Sequence, residues 1–363
     1  MATDTQIRRA EPPIVPSARH QPAPSAGGKP KDPYFSNAKF ILIVLVVCGH
    51  AWALVMGDND IVRGLYYTLY DFHMPAFILI CGYFSKSFTA RPDQMQRLIA
   101  GVLAPYLIFS ILYGTQRIWT GGEFKLSLFH PYYLLWFLVA LFVWRLTAPL
   151  WRRIKYPVAV ATIIGVAAIV LNLPTEFDFG RILQFLPFFV AGMFLTREHF
   201  TMLKRPVFRY GGLVLTIGLT VAAIMFNRSL NRNWIYFNEG APQMDVGIAM
   251  GLGLKLVLLA TSVILVATFF AWVPDRQLPI SRFGDLTMYT FLLHGLVIKG
   301  VEASGLYDWP PTQTALGAVA TTVGAITVAL LLMSPPVRWV TRPLVEPRLD
   351  WMFTKQPSTT TAR

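Results

Sequence analysis

The chain has 363 residues, of which 54% are hydrophobic and 14% charged, with a mean hydropathy of +0.49. A soluble protein of this length carries about 25% charged residues, so the composition excludes an ordinary soluble domain and predicts an all-α, polytopic bundle of membrane helices. The net charge of +13 would suggest nucleic acid in a soluble chain. No helix-turn-helix, zinc-finger or RNA-binding pattern accompanies it, and in a membrane chain the same excess marks cytoplasmic loops and anionic lipid headgroups.

Residues 1–33 hold seven prolines among Ala, Ser and Arg and no apolar run, which predicts a disordered cytoplasmic tail. Ten apolar segments follow, at 37–57, 64–84, 97–119, 131–151, 156–173, 180–196, 209–226, 245–272, 285–303 and 313–334. The fifth and sixth are short against the roughly 20 residues of a crossing. The membrane domain is expected over 34–340 and a second cytoplasmic tail over 341–363. With the N-terminus inside, the inside segments hold 24 of the 32 Lys and Arg. This positive-inside bias puts both ends in the cytoplasm and requires an even span count, in the plasma membrane. Trp52, Trp119, Trp136, Trp151, Trp272 and Trp309 lie near segment ends and read as an interfacial belt. The longest outside loop, Asn227 to Met244, is either a cover over a substrate site or a solvated connection. Cys48 and Cys81 both fall inside apolar segments, so no disulfide framework or cysteine metal site is legible.

The run from Lys39 to His50 carries most of the chemistry. Eleven residues separate the two, close to three helical turns, so both side chains lie on nearly one face and about 16 Å apart. With Lys39 at one membrane surface, His50 sits near mid-bilayer, where an ionisable group reads first as functional. His73, in Tyr70-Asp71-Phe72-His73-Met74-Pro75, lies at similar depth on the next, antiparallel segment. Pro75 is expected to kink that segment and free a carbonyl. His294 is about nine residues into the ninth segment. A lone membrane histidine can serve only as a hydrogen-bonding group between helices, but three near the midplane favour a site. His20, His130 and His199 fall in tails or loops. Lys255 sits mid-segment and either pairs inside the bundle or meets an anionic substrate. No HExxH pattern, GxSxG elbow or glycine-rich phosphate loop occurs, so neither a metal centre nor a soluble hydrolase is expected.

The stretch Asp32-Pro33-Tyr34-Phe35-Ser36-Asn37-Ala38-Lys39 running to Gly49-His50 resembles the start of the acyltransferase 3 family of integral-membrane O-acyltransferases, whose hallmark is Arg/Lys-x10-His. Phe72-His73-Met74-Pro75-Ala76-Phe77 with Cys81-Gly82-Tyr83-Phe84 is similar to the family's second-helix signature, closest to its fucose 4-O-acetylase-like branch. Pro105-Tyr106-Leu107, Leu135-Trp136-Phe137-Leu138, Phe185-Leu186-Pro187-Phe188-Phe189 and Tyr289 through His294 match later landmarks in order, over roughly residues 32–340. Cys81 stands where many members have Ser, and Arg91 and Arg97 stand without the spacing of the family's Arg-x-x-Arg motif.

The resemblance implies transfer of an acyl group, usually acetyl, from cytoplasmic acyl-CoA to a sugar hydroxyl, with no permanently bound cofactor. A hydroxyl attacks well only as a base removes its proton, and imidazole, with an ordinary pKa of about 6.5, is neutral and basic at pH 7. His50 is the expected base. His73 would orient it or bind a substrate. Lys39, Lys86, Arg91 and Arg97 are the nearest cations for the CoA phosphates, with Lys255 and His294 as further binding residues. The expected partners are acyl-CoA, a glycan-type acceptor and membrane lipids, without nucleic acid. Two other classes compete. A transporter or flippase would show internal repeats and paired broken helices, and a non-catalytic membrane sensor would carry a folded soluble domain. Neither feature is legible.

Overall fold

The computed structural model describes residues 32–353 except 58, 125, 127 and 175. The expected tails therefore lie outside the described residues for 1–31 and 354–363. All regular structure among the described residues is helical.

Helix α1 (Pro33–Val55) opens on a proline, which the first turn tolerates because its N–H would be unpaired anyway. The residues that follow tie it down. Tyr34 Oη donates to Phe270 O at 2.8 Å. The fully buried Asn37 donates from Nδ2 to Pro274 O and Arg276 O at 2.9 and 3.0 Å, and its Oδ1 accepts from Ser281 Oγ at 2.6 Å. A buried amide satisfied at both ends fixes the start of α1 against the 274–281 segment, since leaving it unpaired would cost about 1–3 kcal/mol.

Helix α2 (Asp60–Phe84) is capped by Asn59, whose side-chain oxygen accepts from the backbone N–H of Ile61 and Val62. The helix runs unbroken through Pro75; only one backbone bond is lost there, and packing on several sides holds the rest. Helix α1 and the later helices over Leu186–Phe194, Pro206–Phe226 and Ile248–Trp272 all lie against α2.

Helix α3 (Pro92–Trp119) contains a π turn at Ile99–Leu103, where the Ala104 N–H reaches back to Ile99 O. The wider turn stands just before Pro105, which has no N–H to give. Helix α4 (Trp136–Trp151) starts five residues later than the 131–151 segment, because Tyr133 adopts a left-handed φ of 57°. Helix α5 (Pro157–Ala167) covers only 11 residues of the fifth expected segment. The sixth is two helices, α6 (Phe179–Gln184) and α7 (Leu186–Phe194), bent by 51° at Phe185. Pro187, second in α7, cannot carry the hydrogen-bond ladder across the join.

Short α8 (Arg197–Leu203) leads to α9 (Pro206–Phe226), the loop helix α10 (Asn233–Tyr236), α11 (Ile248–Trp272), α12 (Thr287–Ala303), α13 (Ala315–Leu332) and α14 (Pro335–Val345). Among the described residues five helices, α1, α3, α9, α11 and α13, are long and apolar enough to cross a membrane, and the bent α6–α7 pair would make a sixth. The remaining expected spans are helical but shorter or more polar. Helix α14 runs across position 341 to Val345, which is buried, and packs on α3 and α12.

Candidate active site

Helix α1 lies against α2, α12 and α13, and three of these four helices bring histidines together. The His50 and His294 rings are 5.2 Å apart, centroid to centroid. His50 also packs on Tyr133 at 4.8 Å and approaches Tyr70, with Nδ1 3.4 Å from Tyr70 Oη. Tyr70 in turn lies 4.7 Å from the ring of His73. The three mid-depth histidines of the sequence thus form one constellation, bridged by a tyrosine.

Two of the three have fixed tautomers. His73 Nδ1 donates to Leu69 O, and His294 Nδ1 donates to Thr290 O, each at 2.8 Å. A carbonyl only accepts, so the neutral rings carry their proton on Nδ1 and keep a lone pair on Nε2. His294 is fully buried, and its Nε2 has no hydrogen-bond partner among the described residues. Both bonds run to the residue four positions back on the same helix, so helix geometry alone holds these rings.

His50 and His73 line a cavity of about 380 Å³. Its walls are Tyr66, Tyr70 and Tyr133, with Trp136 and Phe185, stacked 5.5 Å apart, and Met74 and Phe291. The loop between α9 and α11 covers it. Trp234, Ile235 and Phe237 are buried and pin α10 down, and Arg232, Asn233, Ile235 and Tyr236 face the cavity. Tyr236 Oη lies 2.6 Å from Tyr66 Oη, and the Tyr66 ring packs on Tyr70 at 4.2 Å, tilted by 35°. The structure makes this loop part of the cavity wall. It also takes two tryptophans out of the expected belt: Trp136 is a buried wall of the cavity, and Trp52 Nε1 donates to Thr322 Oγ1 at 2.8 Å inside the bundle.

The four cations expected near a donor do not line this cavity. Lys39 pairs with Asp285 at 3.4 Å and lies over Phe84, the last residue of α2. Lys86 donates to Leu195 O and sits 3.7 Å over the Tyr83 ring. Arg91 and Arg97 are exposed and share Asp93. Arg152 donates to Lys86 O and, at 2.5 Å, to Phe88 O, which adds it to the same end of the bundle. Lys255 is buried one layer behind the cavity. Its Nζ lies 3.4 Å from the centroid of Phe237, and Phe237 stacks on Phe185 at 4.6 Å. Nearby, Asp71 accepts from Thr261 Oγ1 and Ser262 Oγ, both at 2.6 Å. Among the described residues no group of three or more His, Cys, Asp or Glu is arranged to hold a metal ion.

Tyr133, Arg181, Arg232 and Lys299 also face the cavity, and none carries a sequence signature. Tyr133 and Arg232 lie in loops and Arg181 in the short helix α6, and their meeting depends on how distant segments pack. The one local signal is structural: Tyr133 holds a strained left-handed φ, which places its ring against His50 and is the kind of cost found at functional sites.

A helical bundle with apolar spans around a histidine–tyrosine cavity fits a membrane-embedded enzyme. The family model of the acyltransferase domain, acyltransferase 3, matches residues 32–334, so the chain belongs to that family and is a membrane-integral acyltransferase. It is 24% identical over 353 residues to nodulation protein NolL of Sinorhizobium fredii (strain NBRC 101917 / NGR234), covering 88% of this chain and 93% of that one. It is 23% identical over 336 residues to nodulation protein NolL of Mesorhizobium japonicum (strain LMG 29417 / CECT 9101 / MAFF 303099), covering 85% and 88%. No solved structure matches.

Proposed function

We propose that the chain moves an acetyl group from cytoplasmic acyl-CoA to a hydroxyl of a sugar or other glycan-type acceptor, with His50 as general base. The observation that carries this reading is the placement of His50 on the wall of the cavity, flanked by His294, Tyr70 and Tyr133. In this role His50 Nδ1–H donates to Tyr70 Oη, and Nε2 takes the acceptor's proton as its oxygen attacks the thioester carbonyl. The carbon–sulfur bond then breaks, and the proton passes to the departing CoA thiolate. A positioned base contributes about 10²–10⁴-fold. His73, held by Leu69 O, orients Tyr70 or the acceptor, and His294 backs His50.

A sugar acceptor fits walls made of aromatic rings with a few polar groups and the resemblance to the fucose 4-O-acetylase-like branch. The phosphates of the donor fall to Lys39, Lys86, Arg91 and Arg97. Ion pairs of exposed side chains such as Arg91 and Arg97 with Asp93 are weak enough to exchange for a phosphate. In this reading the bundle makes ten crossings of the plasma membrane, counting the bent and short helices, with both ends in the cytoplasm. The positive-inside bias supports that orientation.

Mass spectrometry of surface glycans and metabolites from cells with and without the gene tests the reaction. An acetyl ester present only with the gene is the expected result. Identical acyl profiles, with no transfer from acetyl-CoA by the purified protein, would remove the proposal. Reporter fusions after residues 36 and 353 test the orientation, and an external C-terminus would require an odd number of crossings.

A further inference from the structure

The cavity carries charge that the transfer chemistry leaves unused. Arg181, Arg232 and Lys299 line it, and no Asp or Glu does. Two of these cations have a carboxylate behind them: Arg181 Nη1 donates to Asp178 at 2.7 Å, and Lys299 Nζ donates to Glu302 at 2.6 Å. The Arg232 guanidinium, exposed beside the cavity, makes no hydrogen bond or ion pair among the described residues. The neighbouring carboxylate, Glu239, accepts from Asn233 Nδ2 with both oxygens, at 3.1 and 3.0 Å. One positive charge is therefore left over in an otherwise aromatic cavity.

The wider pattern gives this charge its weight. Only eight Lys and Arg of the chain fall outside the segments that the charge bias puts in the cytoplasm, and three of the eight converge here. Others of the eight are accounted for elsewhere: Arg228 pairs with Asp60, Arg63 donates to Gly57 O, and Arg117 lies over Tyr132. The cavity wall includes Ala53 and Leu54, from the last turn of α1, and the loop before α11. Lys39 and Lys86, at the opposite ends of α1 and α2, are remote from it.

We propose that the acceptor is an anionic saccharide, one that carries a carboxylate or a phosphate. Arg232 and Lys299 hold the anionic group, Arg181 adds field strength from the wall, and the hydroxyl to be acylated faces His50. A planar guanidinium matches both anions with two parallel hydrogen bonds, and the ammonium of Lys299 supplies a point charge. The inference rests on reading this cavity as the acceptor's.

Calorimetric titration of the full-length protein in lipid nanodiscs, without acyl-CoA, tests it with methyl β-D-glucuronide, glucose 1-phosphate and methyl β-D-glucoside. The expected result is that at least one anionic sugar binds about tenfold or more tightly than the neutral glucoside. Arg232→Gln, an exposed change that leaves the fold alone, should erase the difference, and Lys299→Gln should reduce it. A preference for the glucuronide assigns a carboxylate, and a preference for glucose 1-phosphate assigns a phosphate. Equal binding of all three sugars, or a preference that survives Arg232→Gln, overturns the proposal. So does a rise in the KM for acetyl-CoA in Arg232→Gln, which would give these cations to the donor. Anion-dependent binding in a protein that transfers no acetyl group would leave the anion site standing and remove the transfer reading instead.

Discussion

His50 on α1 and His294 on α12 face each other with ring centroids 5.2 Å apart and planes inclined by 45°. The two are not equivalent. The His294 Nδ1 proton is committed to Thr290 O, so that ring is fixed as a lone-pair donor at Nε2. His50 Nδ1 lies 3.4 Å from the hydroxyl of Tyr70, and His50 is the one partly exposed histidine of the three. In the proposed mechanism His50 is therefore the ring that exchanges a proton with a ligand in the cavity.

His50→Ala should lower acetyl transfer by about 10²–10⁴-fold while membrane expression is unchanged. Tyr70→Phe keeps the ring that packs on His73 but removes the hydroxyl at His50, and should lower kcat with little effect on either KM. Both are read by transfer from radiolabelled acetyl-CoA in membranes of equal protein content. Wild-type turnover in His50→Ala would end its assignment as base.

Donor anchoring makes a different prediction. If Lys86, Arg91 and Arg97 hold CoA phosphates, replacing each by Gln should raise the KM for acetyl-CoA by about tenfold or more and leave the acceptor KM nearly unchanged. Steady-state kinetics with each substrate varied in turn separates the two. An unchanged donor KM in all three variants would move the phosphate site to Arg152, which already reaches the backbone of Lys86 and Phe88.

The contact of α2 with α7 predicts a stability effect. A Cβ on Gly192 would lie 2.1 Å from Leu79 O, and one on Gly82 would lie 2.0 Å from Phe189 O. Both obstacles are backbone, which cannot rotate away. Gly192→Ala should therefore push the helices apart at a cost of about 1–3 kcal/mol, seen as a lower melting temperature in detergent. Gly218→Ala, where the added methyl meets nothing within 4 Å, serves as the contrasting variant and should melt as the wild type does.

Cys81→Ser should retain most activity, and the Cys81 thiol should resist alkylation in the resting enzyme. His73 lies eight residues earlier on α2, rotated about 80° from it beyond two turns, so no base stands beside this thiol to form the reactive thiolate. Acetylation followed by thioester-specific hydroxylamine release is the check. An acyl-thioester trapped on Cys81, together with loss of transfer in Cys81→Ser, would reveal a covalent relay.

The helical class, the family and the three histidines were legible in the sequence because each is a local property. Apolar runs of helix length need no partner to be recognised, the Lys39 to His50 spacing is a property of one helix, and His73 and His294 each bond the carbonyl four residues back on their own helix. Span boundaries were less legible where hydropathy persists while the backbone turns, as at Tyr133 and at the Phe185 bend. What only the tertiary structure decided is which side chains share the cavity. Arg181, Arg232 and Lys299 come from a short helix, a loop and the late helix α12, and Tyr133 precedes a helix without belonging to it. No periodicity links such positions. They meet because buried contacts such as Asn37 with the 274–281 segment and Gly192 with Leu79 fix how the helices cross, and packing between distant segments leaves no signature within any one of them.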